Sequence, residues 1–107
     1  MNLLFICTHN QMRSCSAETI YADNPVHKTK SAGIKHTAKV KVTSELLSWA
    51  DLIFVMEEEH EEFLRLKFQD DIRYREIINL DIYDIFYFME PELVELIKTK
   101  VSPYLER

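Results

Sequence analysis

The chain is poor in glycine and cysteine. Gly33 is the single glycine among 107 residues, and it predicts a turn that requires a positive φ angle. The two cysteines, Cys7 and Cys15, are too few for a disulfide framework, so we expect reduced thiols. The histidines are scattered without zinc spacing, which predicts no metal site, and we expect them on the surface or in loops: His9, His27, His36 and His60.

Long apolar runs are also missing. No stretch approaches the roughly 20 apolar residues of a membrane helix, and the amino terminus lacks the basic region of a signal peptide. We therefore expect a cytoplasmic protein without membrane contact. The length suits one domain over residues 1–107, and a formal net charge of −5 argues against nucleic acid as a partner.

Charge is distributed unevenly along the chain. Residues 27–42 contain five lysines and no acid, whereas residues 57–62 contain five glutamates around His60. We interpret both segments as solvated faces, which is how most charge runs behave. The sequence does not assign a role to the lysine-rich segment.

Short strand patterns alternate with helical patterns along the chain: three are apolar runs, and residues 28–33 alternate. Strands are predicted at residues 3–6, 28–33, 52–56 and 76–80, and helices at residues 14–24, 43–50 and 57–68 and from Pro91 onward. This alternation predicts an α/β fold: a single domain with a four-stranded parallel sheet and helices on both faces. In such sheets, ligands bind at the carboxyl ends of the strands.

The segment after the first strand carries the strongest chemical signal. Cys7 ends this strand, and Arg13 and Ser14 follow where a helix begins. Backbone N–H groups at a helix start bind anions, arginine matches two phosphate oxygens, and their positive field favours a thiolate. The spacing of Cys7 and Arg13 alone also fits a buried structural cysteine, but its position between strand and helix favours a nucleophile in a phosphate-binding loop. Its candidate phosphate-binding residues are Thr8, His9, Asn10, Gln11, Met12, Arg13 and Ser14.

The segment Ile-Cys-Thr-His-Asn-Gln-Met-Arg-Ser at residues 6–14, with Ala17 and Glu18 after it, resembles the active-site loop of the low-molecular-weight protein tyrosine phosphatases. Residues 31–33 and 49–56 are similar to later strands of that family. The resemblance implies that Cys7 is the nucleophile, that Arg13 binds phosphate, and that Asn10 and Ser14 shape the loop and support the thiolate. Asparagine also tolerates the left-handed φ that a loop without glycine needs.

The family's general acid is an aspartate in an Asp-Pro-Tyr run. Asp84 aligns best here, followed by isoleucine and phenylalanine instead, and Asp81 is the alternative. Met12 stands where relatives commonly have a second cysteine. Aromatic residues in the same loop are expected either to line the pocket or to pack onto the core: Tyr83, Phe86, Tyr87 and Phe88.

The resemblance implies a hydrolase that needs no cofactor and acts on phosphate monoesters, above all protein phosphotyrosine, through a phosphocysteine. Its partners would be phosphorylated proteins or small phosphate esters. Three other functions remain open: a phosphocysteine phosphocarrier, a phosphate-binding module without turnover, and an arsenate reductase. The last requires further cysteines to pass on a disulfide, and only Cys15 is present. The natural substrate and oligomeric state are not predicted.

Overall fold

A four-stranded, fully parallel sheet forms the centre of the molecule. The computed structural model describes residues 1–106 and has strands β1 (Asn2–Cys7), β2 (Lys28–Gly33), β3 (Leu52–Val55) and β4 (Glu76–Asn79). Their order is β2-β1-β3-β4, so β1 pairs with both β2 and β3. The predicted parallel α/β sheet is therefore confirmed, and each strand lies within about one residue of its predicted bounds, the uncertainty usual for element ends.

Five helices accompany the sheet within residues 1–106: α1 (Arg13–Ile20), α2 (Ser44–Trp49), α3 (Glu58–Lys67), α4 (Gln69–Ile72) and α5 (Pro91–Leu105). The hydroxyl of Thr43 caps α2 by accepting from the Leu46 N–H at 3.2 Å, and Pro91 begins α5, as the sequence predicts. The short α4 was not predicted, and α1 ends at Ile20 instead of residue 24. None of these helices is long and apolar enough to cross a membrane.

The helices cover both faces of the sheet. Alternate side chains of β1 point to opposite faces: Leu3 and Phe5 pack towards α1 and α5, and Leu4 and Ile6 pack towards α2, α3 and α4. All four side chains are fully buried. Burial on both faces explains why the strand is a continuous apolar run instead of an alternating one.

The topology positions the functional site. The chain leaves β1 through α1 to reach β2 on one side, and later returns to β3 on the other side. The strand order thus reverses beside β1, and the crevice at the carboxyl end of such a strand is where open α/β sheets bind ligands. Cys7, the last residue of β1, lies at this point.

Gly33 does not form the predicted positive-φ turn. It ends β2, and no glycine in residues 1–106 has a positive φ. Glycine is required here by close approach, since a Cβ atom would lie 2.7 Å from the carbonyl oxygen of Thr8 and 2.7 Å from the Cβ of Ala38. The loop after β1 therefore lies directly on the end of β2.

Candidate active site

The thiol of Cys7 lies at the base of the loop between β1 and α1. Its side chain is almost fully buried, with 3% of its surface exposed. The Sγ atom lies 2.9 Å from Ser14 Oγ and accepts a hydrogen bond from the Asn10 N–H at 3.3 Å. The sulfur therefore has a backbone N–H and a hydroxyl group within hydrogen-bond distance.

Asn10 and Ser14 support the loop from beneath. Asn10 has a φ of 54°, the left-handed conformation expected for it. Its buried Nδ2 donates to Ser14 Oγ at 2.8 Å and to Ser31 Oγ at 2.9 Å, which ties the loop to α1 and β2. Both residues are buried, and neither lines the pocket, so they organise the loop without forming its surface.

The loop also presents free donors. Among residues 1–106, the backbone N–H groups of residues 11–14 make no hydrogen bond, and the first N–H bonded into α1 is that of Ser16, to Met12 O at 2.9 Å. Unsatisfied N–H groups at the first turn of a helix, together with the helix dipole, favour an anion. The start of α1 therefore has backbone donors that are free for an anion.

Arg13 is buried beside the pocket, with 2% of its surface exposed. Its Nη1 donates to Glu57 Oε2 and to the carbonyl oxygen of Ile82, both at 2.7 Å. Glu57 was predicted to lie on a solvated face, and this interpretation was wrong for that glutamate. Holding one nitrogen of the guanidinium fixes the plane of the group, so its remaining N–H groups stay oriented for a ligand.

His60 corrects a second prediction, because it is fully buried and not on the surface. Its Nδ1 accepts from the Glu57 N–H at 3.0 Å, and its Nε2 lies 2.9 Å from Thr8 Oγ1. Burial, and secondarily the charge of Arg13, lowers the pKa of His60 to about 4. The imidazole is therefore neutral at pH 7. The local sequence carries no signal for this, because Glu57 and His60 are not the residue types of the usual capping-box pattern, although they form such a box here.

A pocket of about 350 Å³ opens above the thiol. One wall consists of the loop and the other of the segment after β4, and the lining residues are Cys7, Thr8, His9, Gln11, Met12, Arg13, Asp84, Ile85, Phe86 and Tyr87. Asp84 is 58% exposed, and its Oδ1 lies 3.8 Å from Arg13 Nε. Asp81, Tyr83 and Phe88 do not line the pocket.

One group of side chains has metal-ligand spacing. Atoms of Glu57, Glu59 and His60 lie within 4.8 Å of one another. Glu57 is already paired with Arg13, however, and both ring nitrogens of His60 are hydrogen-bonded. A cation bound there would also lie beside the positively charged guanidinium. We therefore interpret these side chains as a support of the loop, through Arg13 and Thr8, and not as metal ligands.

The arrangement defines a class of site: a buried thiol at the carboxyl end of a parallel sheet, inside a helix-start anion cradle, with an arginine and an aspartate at the pocket. Such a site is able to place a sulfur nucleophile against a bound phosphorus atom. Its donors would meet the negative charge of the phosphoryl oxygens.

Solved structures with this fold include low-molecular-weight protein tyrosine phosphatases. SP-PTP, the low molecular weight protein tyrosine phosphatase from Streptococcus pyogenes, matches with a TM-score of 0.80 and 17% identity over 99% of this chain and 91% of that chain. The YwlE arginine phosphatase from Geobacillus stearothermophilus matches with a TM-score of 0.76 and 20% identity, over 98% and 92%. A C7S mutant of YwlE arginine phosphatase, with a phosphorylated active-site serine, matches with a TM-score of 0.73 and 21% identity, over 100% and 97%.

These likenesses confirm the fold that the sequence resemblance implied. The sequence itself matches no protein-family model and no curated protein.

Proposed function

We propose that this chain is a cysteine-dependent phosphatase of the low-molecular-weight protein tyrosine phosphatase family, which hydrolyses phosphate monoesters through a phosphocysteine. The observation that carries the proposal is the position of Cys7 Sγ, which receives the Asn10 N–H and contacts Ser14 Oγ at the base of a pocket lined by Arg13. A cysteine that only packs in the core would not need hydrogen-bonding groups around its sulfur. The C7S mutant of YwlE, with its phosphorylated serine, supports a covalent intermediate.

In the first step, the Cys7 thiolate attacks phosphorus in line with the ester oxygen. An S–P bond forms, the P–O bond to the leaving group breaks, and Asp84 gives its proton to the departing oxygen. Asp84 suits this role because it lines the same pocket as Cys7, on the opposite wall. The products of the step are a phosphocysteine and the free alcohol or phenol.

In the second step, water replaces the leaving group. The Asp84 carboxylate takes a proton from water, the water oxygen attacks phosphorus, and the S–P bond breaks to return the thiolate and inorganic phosphate. Through both steps, the N–H groups of residues 11–14 and the Arg13 guanidinium stabilise charge on the equatorial oxygens. These groups stabilise the negative charge of the phosphoryl oxygens, which a metal ion stabilises in other phosphatases.

Phosphotyrosine in proteins is the substrate class that we propose. Phe86 and Tyr87 line the wall that carries Asp84, where a substrate ring would stack. Tyr87 is 76% exposed, so its ring is accessible to a ligand. SP-PTP, named as a tyrosine phosphatase, supports this class, and the name of YwlE as an arginine phosphatase makes phosphoarginine the comparison substrate.

The other candidate functions fit the site less well. A phosphocarrier or a phosphate-binding module has no need for an aspartate in the pocket, because neither activates water. An arsenate reductase needs a thiol that can reach Cys7, but the Cys15 thiol donates to Asn10 O at 3.0 Å. We also propose a cytoplasmic location, since a reducing compartment protects a catalytic thiol from oxidation.

The deciding experiment is hydrolysis of p-nitrophenyl phosphate in the presence of a chelator. We expect turnover by the wild-type chain and its loss in Cys7→Ser, with vanadate binding retained. Cys15→Ser is the matched control, because it makes the same change at the other cysteine and keeps a donor to Asn10 O. Residual turnover in Cys7→Ser, or wild-type turnover that the chelator abolishes, would refute the proposal.

A further inference from the structure

A second concave surface lies between α3 and the segment that follows β2. It is a groove of about 540 Å³ lined by Ile34, Lys35, His36, Lys41, Phe63, Lys67 and Phe68. The floor is apolar, because Ile34, Phe63 and Phe68 are half-buried and pack against the core beneath them. The rim is basic. An apolar floor within a charged rim is typical of surfaces that bind a peptide.

The charge of this groove opposes that of the chain. The whole sequence has a formal net charge of −5, yet the groove has three lysines and a histidine at its rim and no acidic lining residue. Within residues 1–106, the ammonium groups of Lys35, Lys41 and Lys67 form no ion pair. The rim is thus available to an acidic ligand, whose approach its positive field would steer.

The groove adjoins the candidate active site through the backbone. The Lys35 N–H donates to the carbonyl oxygen of Thr8 at 3.1 Å, and the Lys39 N–H donates to that of His9 at 3.2 Å. Thr8 and His9 line the pocket above Cys7. A peptide whose phosphorylated residue enters that pocket therefore passes close to the groove when its chain leaves across Thr8 and His9.

We propose that this groove docks an acidic segment of the protein substrate, seating an apolar side chain against Phe63 and Phe68 while carboxylates meet Lys35, Lys41 and Lys67. The identity of the occupant as substrate rests on the proposed function; the binding of an acidic peptide does not. The lysine-rich segment, which the sequence suggested was only a solvated face, acquires a role as one rim of this site.

The first test measures binding without turnover. The probe is a short unphosphorylated, fluorescein-labelled peptide in which aspartate alternates with leucine, followed by fluorescence anisotropy with the full chain. Lys41→Gln combined with Lys67→Gln should weaken binding by roughly five- to tenfold, the sum of two exposed ion pairs. The matched control is Lys28→Gln with Lys98→Gln, which removes the same charge from exposed lysines elsewhere and should bind as the wild type does.

The docking proposal would be overturned by equal binding of the probe to the two double variants, by equal binding of a peptide with serine in place of aspartate, or by displacement of the probe by vanadate. Displacement would mean that the probe occupies the phosphate loop. A second copy of this chain is the rival occupant, and concentration-dependent dimerisation that disappears in the Lys41→Gln and Lys67→Gln variant would also contradict the proposal.

A second test joins docking to catalysis. In the wild type, a phosphotyrosyl peptide with an acidic extension should have a KM roughly five- to tenfold lower than the same peptide with a neutral extension. In the Lys41→Gln and Lys67→Gln variant, the ratio of the two KM values should approach one. An unchanged ratio in the variant would overturn the substrate assignment. If no phosphopeptide is hydrolysed but the acidic probe binds at the lysines, the proposed function fails and the docking site stands.

Discussion

His60 Nε2 donates a hydrogen bond to the Thr8 hydroxyl oxygen across 2.9 Å. The direction follows from the other ring nitrogen, because Nδ1 accepts from the Glu57 N–H, which leaves the ring proton of the neutral imidazole on Nε2. Thr8 Oγ1 is therefore an acceptor from His60, and its own proton is free for another partner. Since Thr8 lines the pocket above Cys7, that partner would be a phosphoryl oxygen.

Thr8→Val should remove this donor and keep the shape of the side chain. A hydrogen bond to a charged group is worth about 1.5–3 kcal/mol, so kcat/KM for p-nitrophenyl phosphate should fall roughly ten- to hundredfold. Affinity for vanadate should fall in parallel. Thr8→Ser is the control, since it restores the hydroxyl and should recover most of the loss. Wild-type vanadate affinity in the valine variant would show that the hydroxyl does not reach the ligand.

His60 should also make stability depend on pH. Its pKa is lowered from 6.5 to about 4, so the unfolded chain binds a proton more tightly than the folded one. Its stabilising contribution is complete above pH 6.5 and is lost as the pH falls through 4. Relative to His60→Gln, which keeps a capping box but does not titrate, the free energy of unfolding should drop by on the order of 2–3 kcal/mol between pH 7 and pH 4.

Urea denaturation of both chains at a series of pH values measures that difference. The comparison with His60→Gln separates the contribution of His60 from that of the groups that both proteins share. The quantity to follow is the free energy of unfolding of the wild type minus that of His60→Gln. If this value stays constant from pH 7 to pH 4, or becomes more positive as the pH falls, His60 is not held neutral by its surroundings.

The sheet was predictable because its two central strands are buried on both faces. Strands such as β1 and β3 then consist of consecutive apolar residues, and four strand patterns separated by helical patterns leave few topologies. The loop was predictable for a similar reason: Cys7, Arg13 and Ser14 lie within one short segment. The residues that signal the loop in the sequence are therefore the same residues that would act on the substrate.

The supports of the loop were not predictable in this way. Glu57 is 44 residues from Arg13, and His60 is 52 residues from Thr8. In the sequence, both belong to a run of glutamates that is typical of a solvated helix face. Only the pairing of β1 with β3 brings the start of α3 against the loop, so the contacts depend on tertiary structure and not on local sequence.

Gly33 is required by the atoms that approach it and not, as the sequence suggested, by a positive φ angle. Because its φ is not positive, Gly33→Ala introduces no backbone strain of that kind. The added Cβ would instead meet Thr8 O at 2.7 Å and Asn10 N at 3.0 Å. We expect a loss of about 1–3 kcal/mol in the free energy of unfolding, typical of overpacking, and a lower kcat/KM because the loop must shift.

Ala38→Gly supplies the control for this prediction. It removes the Cβ that would lie 2.7 Å from the new methyl group, so the double variant should recover part of the stability lost in Gly33→Ala. Activity should recover less, because the contacts with the loop backbone persist. A Gly33→Ala chain with unchanged stability and activity would show that the two segments separate at little cost.

Asp84 and Asp81 differ in position, and this difference should decide which one is the general acid. Asp84 lines the pocket, whereas Asp81 has a φ of 54° and its N–H donates to Asn79 Oδ1 at 2.8 Å, in the turn that follows β4. Asp84→Asn should therefore slow hydrolysis of phenyl phosphate by roughly 10²- to 10⁴-fold, and slow that of p-nitrophenyl phosphate much less, because p-nitrophenolate leaves without a proton. Asp81→Asn is the matched control, since asparagine tolerates the same left-handed φ and should cost little with either ester. Steady-state kcat values for both esters and both variants test this. The opposite result, with the dependence on the leaving group lost only in Asp81→Asn, would assign the acid to Asp81 and require that the loop after β4 rearrange when substrate binds.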